Sequence, residues 1–423
     1  MARFGICVFE DPGYRGFLPL SYSRAVFELR CGMLSLWEKI FREYGGDVGF
    51  YFTARPRLAE VLSERLPFPV NRLDDFAGES MLFVNGRLLS PPGVSQLLSL
   101  EGKACCFVTN GELLACRVDA GALLEELARP GFFLSSDAVE SVANKLPRTE
   151  VKATLLGYTW ELVNNNPDQI GTDFESSKQG GKIEGEVDER AVIYNARAVH
   201  VSQGARVDAG VVLDARGGPI FVGAGARISP FSRVEGPCAI SEDTFLVGGR
   251  FTGGCTFGPC CRIGGEVEQS IFQGHSNKYH EGFVGHSYVG EWVNLGALTT
   301  TSDLKNTYGC VSVIVDGQAV QTNLMKVGSL VGDFAKTGIG TLLDTGAVLG
   351  FSANVFGGRG VLPKHVPCFV WGDGESFETY SPQRAVATAR VVMERRGAEM
   401  SPAFERLMMH IFEATEEERK RVL

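Results

Sequence analysis

The sequence predicts two architectures in series: an α/β sheet, then a parallel β-helix of hexapeptide repeats with C-terminal helices behind it. Three observations predict this. Glycine, 52 of 423 residues, grows denser after about residue 180. Helix-length amphipathic patterns stop there and return only near residue 381. Between those points apolar residues recur every six positions, a period that is neither helical nor that of a flat strand. A hexad suits one short strand plus a tight turn, with three hexads closing one triangular coil.

Before residue 180 the runs "FGICVF", "DVGFYFT", "MLFVNG" and "ACCFVTNG" predict strands, and "MLSLWEKIFREYG" and "AGALLEELARPG" predict helices. Their alternation indicates an α/β domain over residues 1–180. The polar stretch "SSKQGGKIEGEVDER" is the expected linker. The repeats, over 190–374, fall into three frames. Val222, Ile228, Val234, Ile240 and Leu246 form the first, with Ala226, Ser232, Cys238, Thr244 and Arg250 four residues further on. Ile271, Asn277, Phe283, Val289 and Leu295 form the second. Val331, Thr337, Leu343, Leu349 and Val355 form the third, with Ala335, Thr341, Ala347 and Ala353 behind it. The aliphatic residue fills the interior and the small one lets a corner close, whereas a Gly-rich β-sandwich would alternate with period two. A solenoid needs covered ends, so the N-terminal domain is expected over one end and the tail, 375–423, over the other. In that tail Ser381 and Pro382 start a helix, and Phe404, Leu407, Met408, Ile411 and Phe412 share a helical face. The segment "LKNTYGCVSVIVDGQAVQTNLMK" interrupts the hexads and reads as an inter-subunit arm or a lid.

Composition narrows the function. A net charge of −9 repels nucleic acid and anionic lipid. No apolar run reaches the roughly 18 to 20 residues of a membrane span, and the start "MARFGICVFEDPG" meets an acidic pair too soon for a signal peptide. A cytoplasmic location is expected. The eleven cysteines are odd in number and lack CxxC pairs, which predicts thiols.

The stretch "SNKYHEGFVGHSYVGEWVNLGALTT" carries the candidate chemistry. His280 lies outside the inward positions, so its imidazole is available to a groove. A neutral imidazole near pH 7 can take a proton in a transition state, worth about 10² to 10⁴ in rate. A corner histidine bonded to a carbonyl is the plainer alternative.

From Arg250 through "GEVEQSIFQGHSNKYHEGFVGHSYVGEWVNLGALTT" the chain resembles the bifunctional uridyltransferase/acetyltransferase family that makes UDP-N-acetylglucosamine, a cell-wall precursor. Within that family it is similar to a divergent bacterial branch of GlmU-type sugar nucleotidyltransferases. The resemblance implies a nucleotidyltransferase-like (Rossmann-like) N-terminal domain, a left-handed β-helix, a homotrimer, and acetyl-CoA and glucosamine 1-phosphate as substrates. It places His280 on the general base, Arg250 on a residue gripping the sugar phosphate, Asn294 on a sugar-binding asparagine, and Ala297 where the backbone meets the acetyl group. Phe283 stands where the family has a sugar-binding tyrosine, and Glu268 where it has a lysine. Lys278 and Lys305 are candidates to restore that positive charge. Ile339 and Gly357 fall near positions contacting acetyl-CoA, with Lys364 or Arg359 toward its phosphates.

In the first domain "PLSYSRAVFEL" keeps the shape of the family's phosphate segment and offers Arg24 as the cation. The glycine-rich loop before it is missing, since "FEDPGYRG" supplies only Gly13, Arg15 and Gly16. In "LFVNGRLL", Arg87 stands where the family's magnesium-binding aspartate is expected, and an arginine cannot ligate Mg²⁺. Asp74, Asp75 and Asp173 are the substitute carboxylates. Two other readings compete. One is a silent sugar-nucleotide-binding scaffold or regulator. The other is a zinc lyase of the gamma carbonic anhydrase kind, suggested by His275 and His280 five apart with His286 beyond, although no third upstream imidazole occurs between His200 and His275.

Overall fold

In the computed structural model, which describes residues 4–46, 48–73, 78–119, 136–356 and 360–423, backbone contacts divide the chain into two units. The first is Met1–Phe17, Ser23–Leu29 and Leu34–Gly157; the second is Leu18–Tyr22, Arg30–Met33 and Tyr158–Leu423. This division falls at Gly157, since by backbone contacts helix Thr159–Ser177 groups with the solenoid. Its Asn166 Nδ2 donates to the Gly254 carbonyl (2.8 Å) and to Thr256 Oγ1 (3.0 Å).

The first unit holds a six-stranded sheet in the order Gly49–Thr53, Phe4–Phe9, Ser80–Asn85, Glu112–Asp119, Cys105–Thr109, Arg148–Glu150. Its first three strands are parallel, the Rossmann-like part, and Glu112–Asp119 runs antiparallel to both neighbours. All four predicted strands are present. Helix Leu36–Tyr44 forms where "MLSLWEKIFREYG" predicted it, begun by a capping box in which Ser35 N and Oγ both donate to Glu38 (2.7 Å each). The helix expected at "AGALLEELARPG" lies outside the described residues.

The second unit is a parallel β-solenoid. One face is a nine-stranded sheet running from Val199–Val201 to His365–Val366. The next stacks Arg262, Asn277, Asn294, Lys336 and Asn354 in register. The third stacks Arg233, Arg250, Glu266 and Phe283. Residues of the first and third frames point inward as expected: Val222, Ile228, Val234, Ile240 and Leu246 are buried, as are Val331, Leu343, Leu349 and Val355.

In the second frame Val289 and Leu295 point inward as expected, but the three positions before them are corrected by one residue. Asn277 and Phe283 are only partly buried, and the interior positions are Phe272, Lys278 and Val284. The steps Leu246 to Phe251, Val267 to Phe272 and Val284 to Val289 are five residues long, which shifts the phase that a strict six would keep. The first of them follows the irregularity between Leu246 and Gly249, where Gly248 and Gly249 take φ of 123° and 141° and a Cβ on Gly249 would collide with the Gly265 carbonyl. The same shift explains why Arg250 is exposed instead of holding a small-residue corner.

Lys278 therefore sits inside the solenoid. Its ammonium donates to the carbonyls of Gly264 (3.0 Å) and His280 (2.7 Å), and burial pulls its pKa down to about 8.

The predicted helices of the tail are Pro382–Glu394 and Pro402–Ala414, but they run along a corner and do not cover the end. Phe404 packs on Phe334 (5.7 Å between centroids) and Phe412 on Phe369 (5.3 Å), each reaching a ring at a left-handed corner residue. The last coil is closed by strand Phe377–Thr379, antiparallel to Val370–Gly372, with Phe377 against the interior. The interruption folds as a hairpin, Ser312–Val315 with Gln318–Gln321, turning at Asp316–Gly317, both with positive φ. Val311 and Val313 are buried beside Gly346, so it lies on its own solenoid. All eleven cysteines are free thiols, and no described helix is long and apolar enough to cross a membrane.

Two outcomes test this packing. Phe257→Ala should cost about 3–5 kcal/mol by urea unfolding, against within about 0.5 kcal/mol for Phe231→Ala at an exposed corner. Folded Lys278 gives up its proton near pH 8 and the unfolded chain only near 10.5, so the unfolded state holds more protons in between. Stability should then rise from pH 8 toward 10, and Lys278→Met should flatten that rise.

Candidate functional site

A cleft of about 770 Å³ opens on the second face of the solenoid. Its floor is the register column Arg262, Asn277, Asn294 and Lys336, whose side chains point outward because their neighbours Ile263, Lys278, Leu295 and Thr337 point inward. Tyr279 and His280 occupy the turn that leaves this face. Gly296, Ala297 and Ile339 continue that rim on later coils. At the corner before the face, His275 stacks on Trp292 with centroids 4.2 Å apart. The opposing wall is the tail: Val392, Arg395 and Arg396.

Of the residues named from the sequence, His280, Asn294, Ala297 and Ile339 line this one cleft. The His280 ring is exposed, edge-on to Tyr279 (5.2 Å), while its backbone carbonyl is held by Lys278. Asn277 Nδ2 donates to Asn294 Oδ1 at 3.4 Å. Lys278 itself is interior and spent on two carbonyls, so it does not restore surface charge.

Other predicted residues lie elsewhere. Arg250 and Phe283 share the third face two coils apart, about 10 Å at the usual strand spacing, and neither lines the cleft. Arg250 pairs with Glu266 at 3.5 Å. Lys305 donates to the Cys310 carbonyl within the interruption, and Lys364 is partly buried outside the cleft lining. Gly357 and Arg359, like Asp74 and Asp75, lie outside the described residues.

The positive charge beside Glu268 comes from a residue the sequence did not single out. Lys326, at the end of the interruption, reaches Glu268 at 3.0 Å and Asp303 at 4.0 Å. His286 Nδ1 bonds Asp303 Oδ2 at 2.7 Å; burial opposes ionisation of Asp303, but that bond and the neighbouring charges hold its carboxyl below the usual range. Glu268, His286 and Asp303 form the one group of metal-ligating type among the described residues, and it contains neither His275 nor His280. The zinc set suggested by the histidine spacing is thus not assembled, since His275 and His280 flank opposite ends of a strand.

The cleft's charge is one-sided. Arg262, Lys336, Arg395 and Arg396 line it, and no carboxylate does. Burial pulls Lys336 down to about 8, and burial followed by the charge of Arg262 lowers Arg396. The doublet "ERRG" was the available sequence signal. Its place against the solenoid was not legible.

In the first unit Arg87 is buried. Its guanidinium grips Asp11 bidentately (2.8 and 2.7 Å), meets Glu112 (2.7 Å) and donates to the Leu156 carbonyl (2.7 Å). Asp11 also accepts from Asn85 (2.8 Å) and from Gly13 N (3.1 Å). The oxygens that would hold Mg²⁺ here are already engaged, so the described residues do not fit that ion. A neighbouring cleft of about 260 Å³ is lined by Asp11, Glu112 and Glu140 against Arg148, and Glu140 is raised by burial and by the charges of Asp11 and Asp137. Arg24, in the bend between two short turns, is buried, 2% exposed, and Asp173 is buried in helix Thr159–Ser177, accepting from Met33 N (2.9 Å).

Residues 6–182 match a family model described as Sugar nucleotidyl transferase, so the chain carries a domain of that kind. The Bifunctional protein GlmU of Azoarcus sp. (strain BH72) is 33% identical over 154 residues, 34% of this chain and 32% of that protein. A Bifunctional sugar-1-phosphate nucleotidylyltransferase/acetyltransferase of Sulfurisphaera tokodaii is 31% identical over 93 residues, 22% of this chain and 23% of that one. The chain therefore spans a third or less of the curated relatives it matches. A solved structure of a mutant of AntD, an N-acyltransferase from Bacillus cereus in complex with dTDP and coenzyme A, is 12% identical with a TM-score of 0.18, covering 52% of this chain and 96% of that one. At that score nothing about this chain follows from it.

Arg87→Ala leaves two carboxylates without their buried cation. It should cost about 3–5 kcal/mol in the denaturation of the first unit, followed by far-UV circular dichroism.

Proposed function

We propose that this chain is a sugar-nucleotide biosynthesis transferase whose solenoid moves an acetyl group from acetyl-CoA to the amine of an amino sugar 1-phosphate, glucosamine 1-phosphate first. The observation that carries the reading is the convergence of His280, Asn294 and Ala297 on one cleft lined by cations and free of carboxylates. In this reaction the sugar nitrogen attacks the thioester carbonyl while His280 takes the proton it sheds. The C–N bond forms, the C–S bond breaks, and the thiolate leaves and is protonated by solvent. Asn294 orients the sugar and the Ala297 backbone meets the developing oxyanion. His280 has a fixed backbone because Lys278 anchors its carbonyl from inside the coil.

The first unit is read as a divergent sugar-1-phosphate nucleotidyltransferase domain; a non-catalytic, sugar-nucleotide-binding role is the second reading, suggested by the Arg87–Asp11 pair where the family's metal-binding carboxylate is expected. Phosphoryl transfer without charge neutralisation on the phosphates would lose its principal assistance. A homotrimer and a left-handed coil belong to the same proposal.

The decisive assay supplies UTP, acetyl-CoA and glucosamine 1-phosphate and follows thiol and pyrophosphate separately. Thiol release dependent on the amino sugar is expected, and His280→Ala should lower kcat about 10²- to 10⁴-fold with the melting temperature unchanged. Thiol release that persists undiminished in His280→Ala would sink the proposal. Pyrophosphate release at a rate matching the thiol would overturn the second, silent reading of the first unit.

A further inference from the structure

We propose that Arg262, Lys336 and the tail arginines Arg395 and Arg396 form an anion-binding wall that takes a phosphate or pyrophosphate group of the bound ligand. The inference rests on the acetyl-transfer reading only where it names coenzyme A as one source of that group.

The charge distribution argues for it first. The chain carries a net charge of −9, yet this cleft gathers four cationic side chains, and none of the four makes an ion pair among the described residues. Several exposed arginines elsewhere on the solenoid have carboxylate partners, among them Arg190–Asp188, Arg206–Asp208, Arg216–Asp214 and Arg233–Glu235. Burial alone lowers Lys336, while Arg396 is lowered by burial and then by the charges of Arg262 and Arg395, a cost that no carboxylate in the cleft offsets. A multiply charged anion relieves it, whereas a single carboxylate would neutralise only one of the four.

The geometry argues second. Arg262 and Lys336 belong to the same register column, so the rigid ladder sets their spacing. Arg396 is docked against that column, donating to the Asn277 side-chain oxygen and to the Cys260 carbonyl (3.1 Å). The tail wall is therefore held in place and is not a loose rim. Guanidinium forks match phosphate oxygens in pairs. The His275 ring, stacked on the buried Trp292, lies in the same cleft beside the cations. A phosphate next to a planar group is the chemistry of a nucleotide-like ligand, and about 770 Å³ has room for more than a monosaccharide phosphate.

The test uses the full chain, titrated calorimetrically with pyrophosphate, coenzyme A, 3′-dephospho-coenzyme A and glucosamine 1-phosphate at low and moderate salt. Binding should weaken with salt. Arg262→Gln and Arg395→Gln should each weaken it at least tenfold, and Arg396→Lys less than Arg396→Gln. Arg206→Gln, on a distant coil, is the control and should bind as the parent does. Arg395 is exposed at a helix end, so its variant reports even if Arg262→Gln is poorly folded. Selective loss of coenzyme A binding assigns the wall to the acyl donor, and selective loss of glucosamine 1-phosphate assigns it to the sugar; both support it. If none of the anions binds, or if the glutamine variants bind like the parent, the wall is overturned. Binding lost in the variants without any acetyl transfer in the parent keeps the wall and removes the transfer reaction. Acetyl transfer with KM for both substrates unchanged in the variants does the reverse.

Discussion

The parallel ladder between successive coils is the constraint on which the second unit depends. Each strand is only two to eight residues long and has no stability of its own, so every coil relies on hydrogen bonds to the coils above and below. Parallel pairing in register aligns residues from distant parts of the chain in columns about 4.8 Å apart. That is how Arg262 and Lys336, separated by 74 positions, come to line one cleft. It also explains why five-residue steps matter. Each one changes which residue of a coil faces inward, and around residue 278 the residue brought inside is a lysine.

Buried or crowded cations are handled in three different ways. Arg87 is neutralised by two carboxylates and a carbonyl, which leaves it no capacity for a ligand. Lys278 is satisfied by two backbone carbonyls, and in exchange it pins the turn bearing His280. The cations of the cleft have no carboxylate at all. The first two are internal ties of the fold, since their hydrogen-bonding capacity is consumed. The third leaves a field that only an anion from outside can balance.

Much of the fold was legible in the sequence. Aliphatic residues at a strict spacing of six announce the solenoid, and the frames at Val222–Leu246 and Val331–Val355 point inward as the period requires. The strands of the first unit show as short apolar runs. Less of the site was legible. His280 and Ala297 converge because the ladder sets them at equivalent places on adjacent coils, and Asn294 lies three residues before Ala297 on the same coil. Arg395 and Arg396 do not belong to the repeat, and their local pattern is that of an ordinary helix end. Lys326 likewise arrives from a hairpin whose sequence says only that it turns at Asp316–Gly317.

The sequence by itself determined the architecture, because periodicity in apolar residues is a local property that decides which side of each strand avoids water. Tertiary structure alone decided the phase within coils 271–289, the course of the tail along a corner, and the fate of each charged group. Those depend on which side chains from remote segments meet: the rings of Phe334 and Phe369 receive the tail, and Asp11 receives Arg87. Encounters of that kind have no period, so a chain can encode them without displaying them.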